Sequence, residues 1–272
     1  MDRKEKVLRH INSEGQGIEI GPSLNPVATK KAGYKVHIID HMSREQLMEK
    51  YKNHPINIEN IEEVDFIWQG ERYSELTGKS KFYDWIIASH VIEHTPDLIG
   101  FLCDCDTILK DDGVVSLVVP DKRYCFDHYR PITGLAKVID SHLHKNLIHT
   151  PGTAAEYYLN VVAKAGSIAW RSSTTGDYNF VHSLEDALHG MKLVLEDKAY
   201  LDVHAWCFVP HSFRLMIHDL FCLGYIPLQE VDFFPTQGCE FYITLGRKGK
   251  GINRSRLEML DTIESEVSEG IS

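Results

Sequence analysis

No stretch of this 272-residue chain approaches the roughly 20 apolar residues that a membrane-spanning helix requires, so no membrane partner is expected. The opening residues, Met1-Asp2-Arg3-Lys4-Glu5-Lys6, lead into no apolar segment and do not read as a secretion signal. An excess of basic charge is missing as well. Lys and Arg number 29 against 39 Asp and Glu, a net charge of −10, which lacks the basic footprint of nucleic-acid binding. Cysteine is sparse, six in all, and none stands in a CxxC pair, which excludes zinc-ribbon and thioredoxin motifs. Cys103 and Cys105 are too close for an ordinary bridge, and reduced thiols in a cytoplasmic protein are the expected state. What is present is the balance of an ordinary globular protein, 43% hydrophobic and 25% charged.

The hydrophobic pattern predicts an α/β fold. A lead-in helix over 1–13 precedes a short strand, Gly17 to Gly21. Turn chemistry at Pro22-Ser23-Leu24-Asn25-Pro26 leads into a helix through Gly33. Strands follow at 34–40, 64–68, 83–89 and 114–119, the last two nearly all apolar, as strands buried on both faces are. Helices are expected over 43–52, 71–76 and 97–110, the last closed by Lys110-Asp111-Asp112-Gly113. The alternation argues a doubly wound, mostly parallel sheet with helices on both faces. The rhythm then stops. Residues 121–205 hold no clear strand and are expected to form a helical cap. A helix from Pro210 to Gly224 and two strands, 226–234 and 240–245, joined through Pro235-Thr236-Gln237-Gly238, complete a seven-stranded sheet with its last strand antiparallel. The expected organisation is a main domain over 1–248, the cap at 121–205 inserted in it, and a tail at 249–272 ending in a loose helix.

In such a sheet ligands sit beyond the carboxyl ends of the strands, where strand order reverses. The turn at Gly21 is that place. It reads Gly21-Pro22-Ser23-Leu24-Asn25-Pro26 rather than GxGxxG, so the glycine that admits a pyrophosphate is absent. Glu19 beside it suits a cationic group, and Asp40 at the end of the second strand suits two ribose hydroxyls.

These residues resemble the class I S-adenosylmethionine-dependent methyltransferases over roughly 16–120 and 205–247. The resemblance rests on Glu19-Ile20-Gly21, Asp40, Tyr83-Asp84, the block Ala88 to His94, and Leu109-Lys110-Asp111-Asp112-Gly113 before a strand. It implies S-adenosyl-L-methionine as cofactor. Glu19 and Gly21 would touch its methionine portion and Asp40 its ribose. Asp65 through Gly70 would lie near adenine, and Ser89 and His90 beside the sulfonium. The departure is Ser23, where many relatives carry glycine. The segments Val119 to Arg130 and Asp202 to Phe213 resemble stand-alone methyltransferases of bacterial polysaccharide assembly, which implies a small-molecule or saccharide acceptor.

Methyl transfer to oxygen needs positioning and a group to take the hydroxyl proton. The candidate histidines are His128, His142, His144, His149, His182, His204 and His211, with His142 and His204 foremost and Asp127 able to orient one of them. Trp206 could stack on a sugar face. Lys122, Arg123 and Arg130 suit an acidic acceptor or, equally, ion pairs with Asp121 and Asp127. His90-Val91-Ile92-Glu93-His94 spells HxxEH, an inverted zinc-hydrolase pattern. Because His90 falls at a strand end, the two histidines should not share a helical face, and no metal is expected. The alternatives to an enzyme of the methyltransferase class are a non-catalytic binding module that keeps the fold and a zinc hydrolase.

Overall fold

The computed structural model describes residues 1–53, 55 and 57–270; Ile271 and Ser272, the end of the expected tail, lie outside the described residues. In chain order the strands are β1 (Gly17–Ile20), β2 (Val36–Asp40), β3 (Phe66–Ile67), β4 (Tyr83–Ser89), β5 (Leu109–Pro120), β6 (Val162–Lys164), β7 (Tyr178–Phe180), β8 (Gln229–Gln237) and β9 (Glu240–Gly246). The helices are α1 (Arg3–Leu8), α2 (Arg44–Tyr51), α3 (Tyr73–Thr77), α4 (Leu98–Ile108), α5 (Leu135–Leu143), α6 (Pro151–Asn160), α7 (Leu184–Leu195), α8 (Pro210–Cys222) and α9 (Arg256–Glu269).

Seven strands form one sheet in the order β3-β2-β1-β4-β5-β9-β8. β1 to β5 pair in parallel, and β9 is antiparallel to both of its neighbours. Strand order therefore reverses between β1 and β4. One face of the sheet packs Ile18, Ile86 and Leu117 against Leu98 and Leu102 of α4 and Phe213 and Ile217 of α8. The other face packs Ile38, Trp85, Ile87 and Val118 against Val7 of α1 and Val27 and Ala28 of the loop after β1.

That loop departs from the expectation of a helix. Only a turn of 3-10 helix forms, at Lys30–Ala32. The reason is Glu19. Its buried carboxylate accepts hydrogen bonds from the amides of Val27 (2.8 Å) and Ala28 (3.0 Å), which draws the segment flat over the strand. Two prolines, Pro22 and Pro26, also lack the N–H that a helix interior uses. Residues Lys110 to Gly113 are corrected too: they do not cap α4 but belong to β5, where Leu109 already pairs with Tyr83. Gly113 is required by close approach, since a Cβ there would lie 2.9 Å from the Asp84 carbonyl oxygen.

The cap contains α5, α6 and α7 and, against expectation, a short antiparallel pair, β6 and β7. Three residues per strand are too few to leave a readable alternation. β8 runs on through Pro235 to Gln237, so the hairpin turn falls at Gly238, with φ +71°, and Cys239. The helix near the end of the chain is docked rather than loose. Met259 is fully buried, and Glu266 of α9 accepts from the His211 amide of α8 at 3.0 Å.

Candidate active site

The sequence placed a ligand site beyond β1, and the chain bends sharply there. Gly21 has φ +61°, and a Cβ at that position would meet Val91 at 3.0 Å. Asp40 closes β2 beside it and is buried. Its Oδ2 accepts from the Ser23 amide at 3.0 Å, and its Oδ1 contacts the His41 amide and ring Nδ1 at 2.8 and 2.6 Å. The Pro22–Ser23 turn thus lies over the carboxylate.

Ser23 shows what this arrangement demands of the turn. Its φ is +44°, a region that disfavours any residue with a Cβ, and its buried Oγ has no hydrogen-bond partner. Ser23→Gly is expected to raise stability by about 1 kcal/mol by removing that strain, measured as a higher midpoint in urea. A lower midpoint would show that the side chain is needed where it stands.

Glu19 is buried beneath the bend and bonded to the loop that follows it. It is 1% exposed, and burial, only partly offset by the Val27 and Ala28 amides, pushes its pKa up to about 7. It clamps the loop from inside, which fixes the path of the bend after β1. Asp65 also ties backbone together. Its Oδ2 accepts from the Ile38 amide (2.7 Å) and from Lys30 Nζ (2.7 Å), so it ties β2 to the segment before β3 and to the loop. Gly70, with φ +108°, follows β3, whose Ile67 pairs with Asp40, and so stays beside the β2 end.

At the end of β4, Ser89 Oγ accepts from Arg3 Nη2 of α1 at 2.7 Å. Arg3 Nε also reaches Glu240 at 2.7 Å, and Glu240 contacts His90 Nε2 at 2.7 Å. His90 lies in the turn, as its strand-end position implied, with φ +54°. Burial alone would lower its pKa; Glu240 and Glu93 more than reverse that and hold it up at about 9. His90 is therefore a cationic tie between β4 and β9. An open crevice of about 1080 Å³ runs beside it, lined among others by Arg3, Asn25, Val27, Arg44 and Glu240. Gly21 and Asp40 do not line it.

The cap and the sheet edge meet at a buried polar cluster. His204 Nδ1 contacts Asp127 Oδ2 at 2.5 Å, and both residues are buried. Arg130 Nη1 donates to Asp127 Oδ1 at 2.7 Å and Arg130 Nη2 to Glu156 at 3.0 Å. Burial would raise the Asp127 pKa, but His204 and Arg130 outweigh it and hold the carboxyl far below its usual range. His204 Nε2 faces Glu93, with 3.9 Å to Oε1. The backbone closes the same corner, since the Ala205 amide donates to the Glu93 carbonyl at 2.7 Å. Glu93 sits in a 3-10 turn, Ile92–His94, just past β4, so the cluster lies beyond the strand ends.

The structure thus unites two of the three residues expected to act on the acceptor, His204 and Asp127. His142 is elsewhere: its Nδ1 lies 2.9 Å from Asp97 Oδ2, the carboxylate that caps α4. Trp206 is buried and donates through Nε1 to the Thr95 carbonyl at 2.7 Å, so it offers no face to a sugar. The basic side chains resolve as internal partners. Arg123 is held by Asp121 and Arg130 by Asp127, while Lys122 Nζ donates to the His128 carbonyl at 2.6 Å. Sequence reasoning missed Glu93 and His94 as neighbours of His204. The HxxEH pattern flagged both, but nothing local announces a partner more than a hundred positions downstream. Arg3 carried no signal at all.

A doubly wound sheet with one antiparallel strand and a glycine bend and acid at its switch point defines a nucleotide-type fold. Residues 2–185 match the family described as Methyltransferase domain, and the chain belongs to that family. No curated protein matches the chain. Among solved structures, the chain is similar to a SAM-dependent methyltransferase from Aquifex aeolicus, with 10% identity, 89% of this chain and 88% of that one covered, and a TM-score of 0.44. It is similar to the CcbJ methyltransferase from Streptomyces caelestis, with 12% identity, coverage of 89% and 87%, and a TM-score of 0.45. It is also similar to the methyltransferase CalH in complex with SAH, with 14% identity and a TM-score of 0.40, covering 85% of this chain but only 51% of that one. Among the described residues, no helix is long and apolar enough to cross a membrane.

Proposed function

We propose that this chain transfers a methyl group from S-adenosyl-L-methionine to a hydroxyl on a sugar or saccharide intermediate. The observation that carries the reading is the reversal of strand order between β1 and β4, with the Gly21 bend at the end of β1 and Asp40 at the end of the adjacent β2. In this reading Gly21 and Asp40 take the methionine and ribose portions, with Glu19 holding the bend between them and Asp65 to Gly70 toward the adenine. When bound, S-adenosylmethionine supplies a methyl group already activated by its sulfonium. The chain's own part is position: Asp40 to hold the ribose and the His204–Asp127 pair to meet the acceptor side. Asp127 fixes the ring through Nδ1, which leaves Nε2 turned toward the pocket corner at Glu93.

The saccharide acceptor rests on the two segments that resemble polysaccharide-assembly methyltransferases. They pack against each other in the fold. Asp121 bridges Phe208, and the Lys122 amide donates to the Phe208 carbonyl at 2.9 Å. A cytoplasmic setting for such an intermediate is part of the same proposal.

Isothermal titration with S-adenosylhomocysteine and with NAD tests the cofactor. Binding of the first and not the second is expected. Asp40→Ala should then weaken binding by about 10- to 100-fold, the loss of a hydrogen bond to a charged group. NAD binding alone would end the proposal. Binding of neither would select a non-catalytic module, the reading that the Ser23 turn over Asp40 favours.

A further inference from the structure

Glu93 stands out among the described residues: it is fully buried, and neither carboxylate oxygen has a hydrogen-bond partner. A buried carboxyl group with no donor on either oxygen is costly. His90 completes it only in part: its Nδ1 pairs with Oε1 at 3.3 Å, outside hydrogen-bond geometry, and its Nε2 is committed to Glu240.

The surroundings have the composition of a metal site. One oxygen of Glu93, one ring nitrogen of His94 and one of His204 all lie within 4.8 Å of one another. Donors bonded to one tetrahedral zinc lie about 3.4 Å apart, so small side-chain rotations close the set. His204 has an outer carboxylate bonded to it, Asp127 at 2.5 Å from Nδ1; Asp202 Oδ1 stands 2.9 Å from His94 Nδ1, close but outside hydrogen-bond geometry. A carboxylate on a ligating histidine is the usual means of fixing ring orientation and raising its basicity.

We propose that Glu93, His94 and His204 hold a divalent first-row cation, with Asp127 as the positioning residue for His204. Two histidines and one carboxylate are a common donor set for zinc and its neighbours, and three protein ligands leave a position open. That position would take an oxygen of the acceptor. The His204–Asp127 pair then acts on the acceptor through the metal. This consequence rests on the methyltransferase reading; the binding of the cation does not. The HxxEH pattern contributes its last two residues only. His90 is replaced by a histidine from the far side of the cap.

The test is zinc binding by the full chain after chelator treatment and dialysis, read by elemental analysis and equilibrium dialysis against zinc chloride. One zinc per chain is expected. His94→Ala and Glu93→Gln should each weaken it at least about 100-fold, and Asp127→Asn by about 10- to 100-fold. Cobalt should give visible ligand-field bands in the wild type and not in His94→Ala. The rival site is on the surface, where His218 and Cys222 lie 3.6 Å apart. His218→Ala should leave the zinc in place. No uptake by the wild type, uptake that survives both His94→Ala and Glu93→Gln, or uptake abolished by His218→Ala would each overturn the proposal. Should Glu93→Gln fail to fold, His94→Ala decides, since that side chain is 28% exposed. S-adenosylhomocysteine binding without zinc sinks this inference alone; zinc without S-adenosylhomocysteine sinks the cofactor reading and leaves the metal site standing.

Discussion

Replacing Arg130 with alanine is expected to destabilise the chain by about 3–5 kcal/mol, read as a lower midpoint in urea unfolding. The guanidinium is fully buried, as is Asp127, and the two meet at 2.7 Å. Removing the cation leaves Asp127 as a buried anion with only His204 and the weak Cys125 thiol as side-chain partners. It also strips Glu156 of its 3.0 Å contact. The loss is one of an uncompensated charge rather than of a favourable pair, so the double variant Arg130→Met with Asp127→Leu should be less destabilised than Arg130→Ala alone. A single-variant loss under about 1 kcal/mol would mean that water reaches this corner and screens the charge left behind.

Gly17→Val should cost about 3 kcal/mol or more, at the upper end of what overpacking does, because the backbone of β1 has nowhere to move. A Cβ at Gly17 would stand 2.0 Å from Trp85 Cε2 and 2.1 Å from Cδ2. Trp85 is fully buried on the neighbouring strand, and its Nε1 donates to the Asn12 carbonyl at 3.0 Å. The indole therefore cannot swing aside without breaking that bond. Pairing Gly17→Ala with Trp85→Leu should recover part of the stability of Gly17→Ala. No recovery would show that the glycine is required by its backbone rather than by the ring it faces.

The parallel strands were legible because each is a short apolar run between turn signals, a pattern that burial on both faces imposes. Of the final hairpin, the buried strand β9 was legible for the same reason, whereas the edge strand β8, open to solvent along much of its length, ran three residues past its expected end. The crossover from β1 to β2 was not. Its helix-like spacing was overridden by a tertiary contact, the capture of two amides by Glu19, which no local pattern encodes. The Lys110 to Gly113 segment misled because charged residues before a glycine resemble a helix end. In the fold they lie at the exposed start of a long strand. In the site, His204 and Asp127 were named from chemistry alone and lie together. Glu19 and Asp65 were named from their place in a motif; their bonds to the amides of Val27, Ala28 and Ile38 were not legible, because no local pattern marks which amides a carboxylate will meet.

Arg3 and Glu240 are separated by 237 positions, yet their contact seals the edge where β4 ends and β9 begins. A pairing of such long range gains nothing until the strands between the two residues have assembled, so α1 docks late in folding, and Val7 has only a partial surface to cover before then.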